Sequence, residues 1–115
     1  MPEYLMLIYG DPADAPAPTE QEAQMGKWMF YTQELADSGA LRGGNALEPT
    51  ETATTVRVRD DETILSDGPF AETKEILGGY YLIDVPDLDA ALAWAAKMPN
   101  ITYGSVEVRP IMPTG

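Results

Sequence analysis

Two strand–helix–strand units separated by a hairpin constrain the fold of this chain more than any other feature of its sequence. Tyr4 to Tyr9 is a short, continuous apolar run bounded by Gly10-Asp11-Pro12, and it reads as a strand buried on both faces. Asp11 to Pro18 is a proline-rich loop. Thr19 and Glu22 then have the spacing of a capping box. The helix they open places Met25, Trp28, Met29, Thr32, Leu35 and Ala36 on one face. Gly26 costs that helix about 1 kcal/mol relative to Ala, and close packing is one reason to keep it. Ser38-Gly39 ends the helix, and Leu41 to Leu47 reads as a second strand bent at Gly43-Gly44. Thr54 to Arg59 and Thr63 to Ser66 flank an Asp60-Asp61-Glu62 turn and read as the hairpin. Phe70 to Ile76 is polar and fits either a loop or a helical turn.

The second unit starts with a strand from Gly78 to Val85 that is apolar on both faces. Asp87 caps a helix with a stripe of Leu88, Ala91, Leu92, Ala95 and Met98, and Pro99 stops it. Tyr103 to Arg109 is the last strand; Val106 and Val108 point one way, Tyr103, Ser105, Glu107 and Arg109 the other. Right-handed crossovers turn this order into an α+β fold, a ferredoxin-like βαββαβ plait with an inserted β-hairpin. Its antiparallel sheet carries both helices on one face. The other face is also partly apolar, so a second copy of the chain is expected to cover it, making a homodimer. Residues 1–115 are read as one domain, a length sufficient for a core without cross-links.

Composition narrows the chemistry. The chain has no His and no Cys, which removes thiolate chemistry, disulfides and the commonest general base and metal ligand. No cofactor and no metal site is expected. The 7 basic residues stand against 19 acidic ones, a net charge of −12 shared evenly by the two halves of the chain. Such a surface repels a phosphate backbone or an anionic bilayer, so neither nucleic acid nor a membrane is expected as a partner. No apolar run reaches the length of a membrane span, and the first residues lack the features of a secretory signal; a cytoplasmic location is expected.

The remaining candidates are carboxylates, tyrosines and a few cations. Asp67, before Gly68-Pro69, either starts a turn or acts as a general base at a strand end. Lys74 either holds an anionic ligand or pairs with Glu72 or Glu75. Glu107 and Arg109, two apart on one strand, share a side; they form a salt bridge or supply a catalytic carboxylate and a carboxylate clamp. Tyr9, Tyr80, Tyr81 and Tyr103 either wall a pocket or fill core and interface. Arg42 and Asn45 can add to an anion site.

Asp67-Gly68-Pro69-Phe70-Ala71-Glu72-Thr73-Lys74-Glu75, followed by Leu77-Gly78-Gly79-Tyr80-Tyr81, resembles the DGPF-type branch of the YCII-related domain family. Leu7-Ile8-Tyr9-Gly10, Gly43-Gly44 and Tyr103-Gly104-Ser105-Val106-Glu107-Val108-Arg109-Pro110 extend the resemblance over nearly the whole chain. It implies a ferredoxin-like domain that dimerises sheet to sheet, as in the dimeric α/β barrels. Better-studied relatives of the wider family carry a His–Asp pair linked to proton transfer, one of them a dehydrochlorinase. A chain without His cannot use that mechanism. Branch members often sit beside extracytoplasmic-function sigma factors, which suggests a regulatory role.

Two functions follow as expectations. One is a site for a small organic molecule, with an anion among the candidate ligands, open to proton transfer or elimination with Asp67 and Glu107 as the candidate catalytic residues. Its ligand-binding residues are Tyr9, Arg42, Phe70, Lys74, Tyr80, Tyr103 and Arg109. The other is a non-enzymatic accessory protein with a partner such as a sigma factor.

Overall fold

The computed structural model describes residues 2–14, 16–69 and 74–113. Its main sheet has four strands in the order β2-β5-β1-β6: β1 (Glu3–Gly10), β2 (Leu41–Ala46), β5 (Ile76–Asp84) and β6 (Ser105–Pro110). Every pairing is antiparallel. Helices α1 (Gln21–Asp37) and α2 (Leu88–Ala96) provide the two crossovers. The remaining strands, β3 (Thr54–Arg59) and β4 (Glu62–Asp67), form a separate two-stranded sheet. This is the α+β plait expected from the element order.

Strand β1 lies between β5 and β6, with Tyr4 and Met6 turned to the core and Leu5 and Leu7 to the other face. Tyr4 and Met6 of β1, with Ile83 of β5, share one core cluster with Tyr31 and Leu35 of α1 and Ala91 and Ala95 of α2. Both helices therefore cover the same sheet face. Val106 and Val108 of β6 pack against that cluster. On the opposite face the register aligns Leu82, Leu5 and Arg109 in one row, and Asn45, Tyr80, Leu7 and Glu107 in the next. Among the described residues no helix is long and apolar enough to cross a membrane.

Turns follow local chemistry. Gly39 takes a positive φ of 84° just beyond the end of α1, the left-handed conformation that glycine adopts without a Cβ clash. In the hairpin, Asp60 and Asp61 both have positive φ, 53° and 64°, which matches the right-handed twist of the strands they join. Asp87 caps α2, its Oδ1 accepting from the Ala90 amide at 2.9 Å.

Five sequence expectations are corrected. The Thr19–Glu22 capping box does not form: a 3-10 turn at Pro18–Glu20 runs straight into α1, so Thr19 lies inside a helical turn and Glu20 takes the cap position without a side-chain bond. The buried stripe of α1 is rotated, with Tyr31 and Leu35 inside and Trp28 partly buried, whereas Met25, Met29 and Ala36 are exposed. Leu88 and Leu92 are likewise exposed, leaving Ala91, Ala95 and Met98 as the inner row of the second stripe. Finally, a Cβ at Gly26 would meet nothing within 4 Å, so close packing does not explain that glycine. Tyr103 also precedes the last strand, in a turn closed by bonds from the Tyr103 and Gly104 amides to the Asn100 carbonyl.

Tyr31 ties the two helices together, donating its hydroxyl proton to the Trp94 carbonyl at 2.8 Å. Its ring also packs near Trp28, Tyr81 and Trp94. Burial, with smaller contributions from Tyr81 and Glu34, pushes its phenol well above the ordinary value. The folded state thus holds the proton more tightly than the unfolded chain, so its contribution is fully present below about pH 10 and is lost as pH rises above that. Tyr31→Phe is expected to cost about 1 kcal/mol at neutral pH, by removing a buried hydrogen bond. It is also expected to flatten the alkaline fall in stability, which urea melts of both proteins between pH 8 and 11 will report.

Candidate functional site

A cavity of about 630 Å³ opens at the end of the sheet where β1 finishes and β5 begins. Its walls come from Ile8 and Tyr9 of β1, Gly44 to Ala46 of β2, Gly78 to Tyr81 of β5 and the inner side of α1 at Trp28 and Thr32. Asp11, Pro12, Asn100 and Tyr103 close it from the loops. The volume lies within the usual range for a small organic ligand.

Glycines shape this end of the sheet. A Cβ on Gly44 would fall 2.8 Å from both the Tyr80 carbonyl and a Tyr81 ring carbon; one on Gly79 would fall 2.9 Å from the Asn45 carbonyl. A side chain at either place would push β2 from β5. The pairing also shifts register between Ile8 and Tyr9, so Tyr9 stands opposite Leu77.

The polar groups in the walls are mostly paired with one another. On the helix side Thr32 Oγ1 and Tyr81 Oη are 2.5 Å apart, and on the helix-free side of the same strands Asn45 Nδ2 donates to Tyr80 Oη at 3.0 Å. Asn100 is 4% exposed, and its Nδ2 reaches the Tyr9 carbonyl at 3.2 Å and the Ser105 carbonyl at 3.4 Å. Two acceptors on one nitrogen fix the amide orientation. Asn100 therefore ties β1 to the turn that carries Tyr103. Asp11 is the one charged residue among the described residues of the lining. Its carboxylate accepts from the Ala13 amide at 2.9 Å and stands 3.9 Å from Lys74 Nζ, whose side chain is almost fully exposed. What the arrangement can do is enclose a flat, largely apolar molecule between aromatic rings and offer it hydroxyl groups.

The residues singled out from the sequence separate into two groups. Tyr9, Tyr80 and Tyr103 line the cavity, together with Tyr81 and Asn45. Lys74 stands outside the lining, beside Asp11. Arg42 is taken up by the Gly39 and Leu41 carbonyls and by Asp84, 3.3 Å away, at the far end of β2. Asp67 is an exposed residue at the end of β4, opposite Thr54. Glu107 and Arg109 pair with each other on the helix-free face, Arg109 Nε donating to Glu107 Oε2 at 3.1 Å. That hydrogen bond is the first cause of a raised Arg109 pKa. The Tyr9 hydroxyl stands 3.5 Å from the other Glu107 oxygen, long for a hydrogen bond. Neither Glu107 nor Arg109 lines the cavity, and Phe70 lies outside the described residues.

Sequence reasoning missed Trp28, Thr32, Asp11 and Asn100 as wall residues. Trp28 and Thr32 stand four apart, one turn of α1, and that spacing also fits plain core. Asn100 follows a helix stop, where an amide reads as a turn residue. No local pattern distinguishes these uses.

Known proteins place this architecture. The solved structure of 5-chloro-2-hydroxyhydroquinone dehydrochlorinase from Burkholderia phenoliruptrix AC1100, in complex with 2,5-dihydroxybenzoquinone, shares the fold with a TM-score of 0.50. The match covers 98% of this chain and 95% of that one at 10% sequence identity. An uncharacterized protein of Rhizobium meliloti (strain 1021) is 41% identical over 112 residues, 94% of this chain and 90% of that protein. The family model for the YCII-related domain matches residues 2–114, and with it the chain belongs to the YCII-related domain family.

Proposed function

We propose that this protein, a DGPF-type member of its family, binds a small, uncharged, oxygen-bearing ring compound in the cavity beneath α1, and that it does so as a homodimer. The observation that carries the reading is the lining: aromatic and backbone surface, hydroxyl groups and one carboxylate, with no cation among its described residues. An anion entering there would lose its hydration and meet the Asp11 carboxylate, so an anionic ligand is disfavoured. The ring-binding dehydrochlorinase of the same fold supports the size and shape of the ligand by analogy. The Leu5, Leu7, Tyr80 and Leu82 face supports the dimer, because a sheet face of that composition gains from being covered. Proton-transfer chemistry at Asp67 or Glu107 finds no support in the lining, which contains neither.

The test compares resorcinol with benzoate, rings of similar size that differ in charge. Resorcinol is expected to raise the melting temperature, with a dissociation constant on the order of 0.1 mM for a ligand of this size. Benzoate is expected to leave the melting temperature unchanged. Ala46, exposed at the cavity wall, gives the control: Ala46→Trp should abolish the resorcinol shift while the protein alone melts normally. A resorcinol shift that survives in Ala46→Trp, or a benzoate shift of equal size, rules out the reading.

A further inference from the structure

The hairpin β3–β4 pairs with no strand of the main sheet, and one of its faces is apolar and open. Val56 and Leu65 stand directly opposite each other and Val58 follows two residues on, which puts all three on one side. Their exposures are 59%, 66% and 57%. Thr55, Arg57 and Ser66, on the other side, are partly buried. An isolated two-stranded hairpin is marginally stable in water and needs packing on one face. Here the better face for packing is the one left open.

The molecule as a whole has the same excess. Its surface is 8042 Å², whereas a compact chain of 12.5 kDa exposes about 6,200 Å². Its radius of gyration is 16.2 Å, against about 13 Å for a compact fold of this length. It is a slab, 47 by 47 by 18 Å. The surplus area is roughly twice the ~800 Å² that a standard interface takes from each partner. The hairpin rises between the ends of β2 and β5, the strands that supply Asn45, Tyr80 and Leu82 to the helix-free face. The hairpin and that face thus belong to neighbouring stretches of the chain.

We infer that the β3–β4 hairpin is a dimerisation arm, whose Val56, Val58 and Leu65 face packs on the body of a second copy of this chain. The arm rests on the homodimer reading and extends it: the sheet face supplies one part of the interface, and the reciprocal arms supply the other. Because the occupant is an identical chain, the contact forms twice about a two-fold axis and closes without further growth.

Sedimentation equilibrium on three full-fold proteins tests this. The first is the wild-type chain. The second is Val56→Lys with Leu65→Glu, opposite charges on directly paired positions that preserve the hairpin while removing its apolar face. The third replaces residues 54–67 with two glycines, a closure allowed because the Gly68 amide already bonds the Ala53 carbonyl at 2.7 Å. The wild type is expected to be a dimer. Both variants are expected to dissociate at least about 100-fold more readily, the scale of losing two or three buried aliphatic contacts, with near-ultraviolet dichroism of Trp28 and Trp94 unchanged. If the charged pair fails to fold, the glycine-closed chain decides. Variants that dimerise as tightly as the wild type overturn the arm and leave the sheet-to-sheet dimer standing. A monomeric wild type overturns both.

Discussion

Gly104→Ala is expected to lower the melting temperature by roughly 10–15 °C, the scale of about 3 kcal/mol in a domain of this size. A Cβ at this position would sit 2.5 Å from the Tyr9 carbonyl, 3.0 Å from Asn100 Nδ2 and 3.3 Å from the Asn100 carbonyl. The nearest atom belongs to the backbone of β1, which is held by strands on both sides and cannot give way cheaply. The turn must move instead, carrying the Gly104 amide away from the Asn100 carbonyl, which it reaches at 2.7 Å. Loss of the Asn100 bonds to β1 and β6 adds to the overpacking cost. Gly10→Ala is the control, since a Cβ there meets nothing within 4 Å. Scanning calorimetry of both variants checks the claim. A Gly104→Ala protein that melts within 2 °C or so of the wild type would mean that the turn does not hold Asn100 as described.

Leu35→Ala is expected to cost about 3–5 kcal/mol, the range for a fully buried leucine whose site cannot collapse. Leu35 is 0% exposed and, with Tyr31, seats α1 on the sheet. The same helix supplies Trp28 and Thr32 to the cavity, so loosening it should weaken ring binding as well as the fold. Leu92→Ala, at a site 46% exposed, is expected to cost under about 1 kcal/mol. Urea unfolding of the two variants measures the contrast. Equal losses would restore the helix faces expected from the sequence.

That contrast shows where sequence reasoning succeeds and where it stops. The strands were legible by two signals: a short apolar run bounded by turn residues marked β1, and alternation with a period of two marked β6, whose Val106 and Val108 face the core. The Asp87 cap was legible because it acts on an amide three residues away. In α1, two apolar rows compete, one through Met25, Met29 and Ala36 and one through Trp28, Tyr31 and Leu35. The second row is chosen by the Trp94 carbonyl, 63 residues away, which gives a tyrosine hydroxyl a buried partner. Likewise, Glu107 and Arg109 were readable as a pair because they are two residues apart on one strand. The cavity was only half readable. Tyr9, Tyr80 and Tyr103 are brought together by strand pairing and by Asn100, whose bond to the Tyr9 carbonyl joins residues 91 apart.

The pairing of Glu107 with Arg109, and of Arg42 with Asp84, also changes the chemistry expected of the protein. Cations that seemed available for a carboxylate ligand are engaged with acids of the same chain. What remains around the cavity is phenol, indole, threonine hydroxyl, amide and the Asp11 carboxylate.

The central claim is that the space beneath α1 receives a neutral ring. Its most direct measurement is a titration of the isotopically labelled chain with resorcinol, followed by amide chemical shifts. The account expects saturable changes at Gly44, Ala46, Gly79, Tyr81 and Tyr103, which surround the cavity, and little change at Glu107 and Arg109. Changes centred on β6 at Glu107 and Arg109, or none at millimolar ligand, would contradict it.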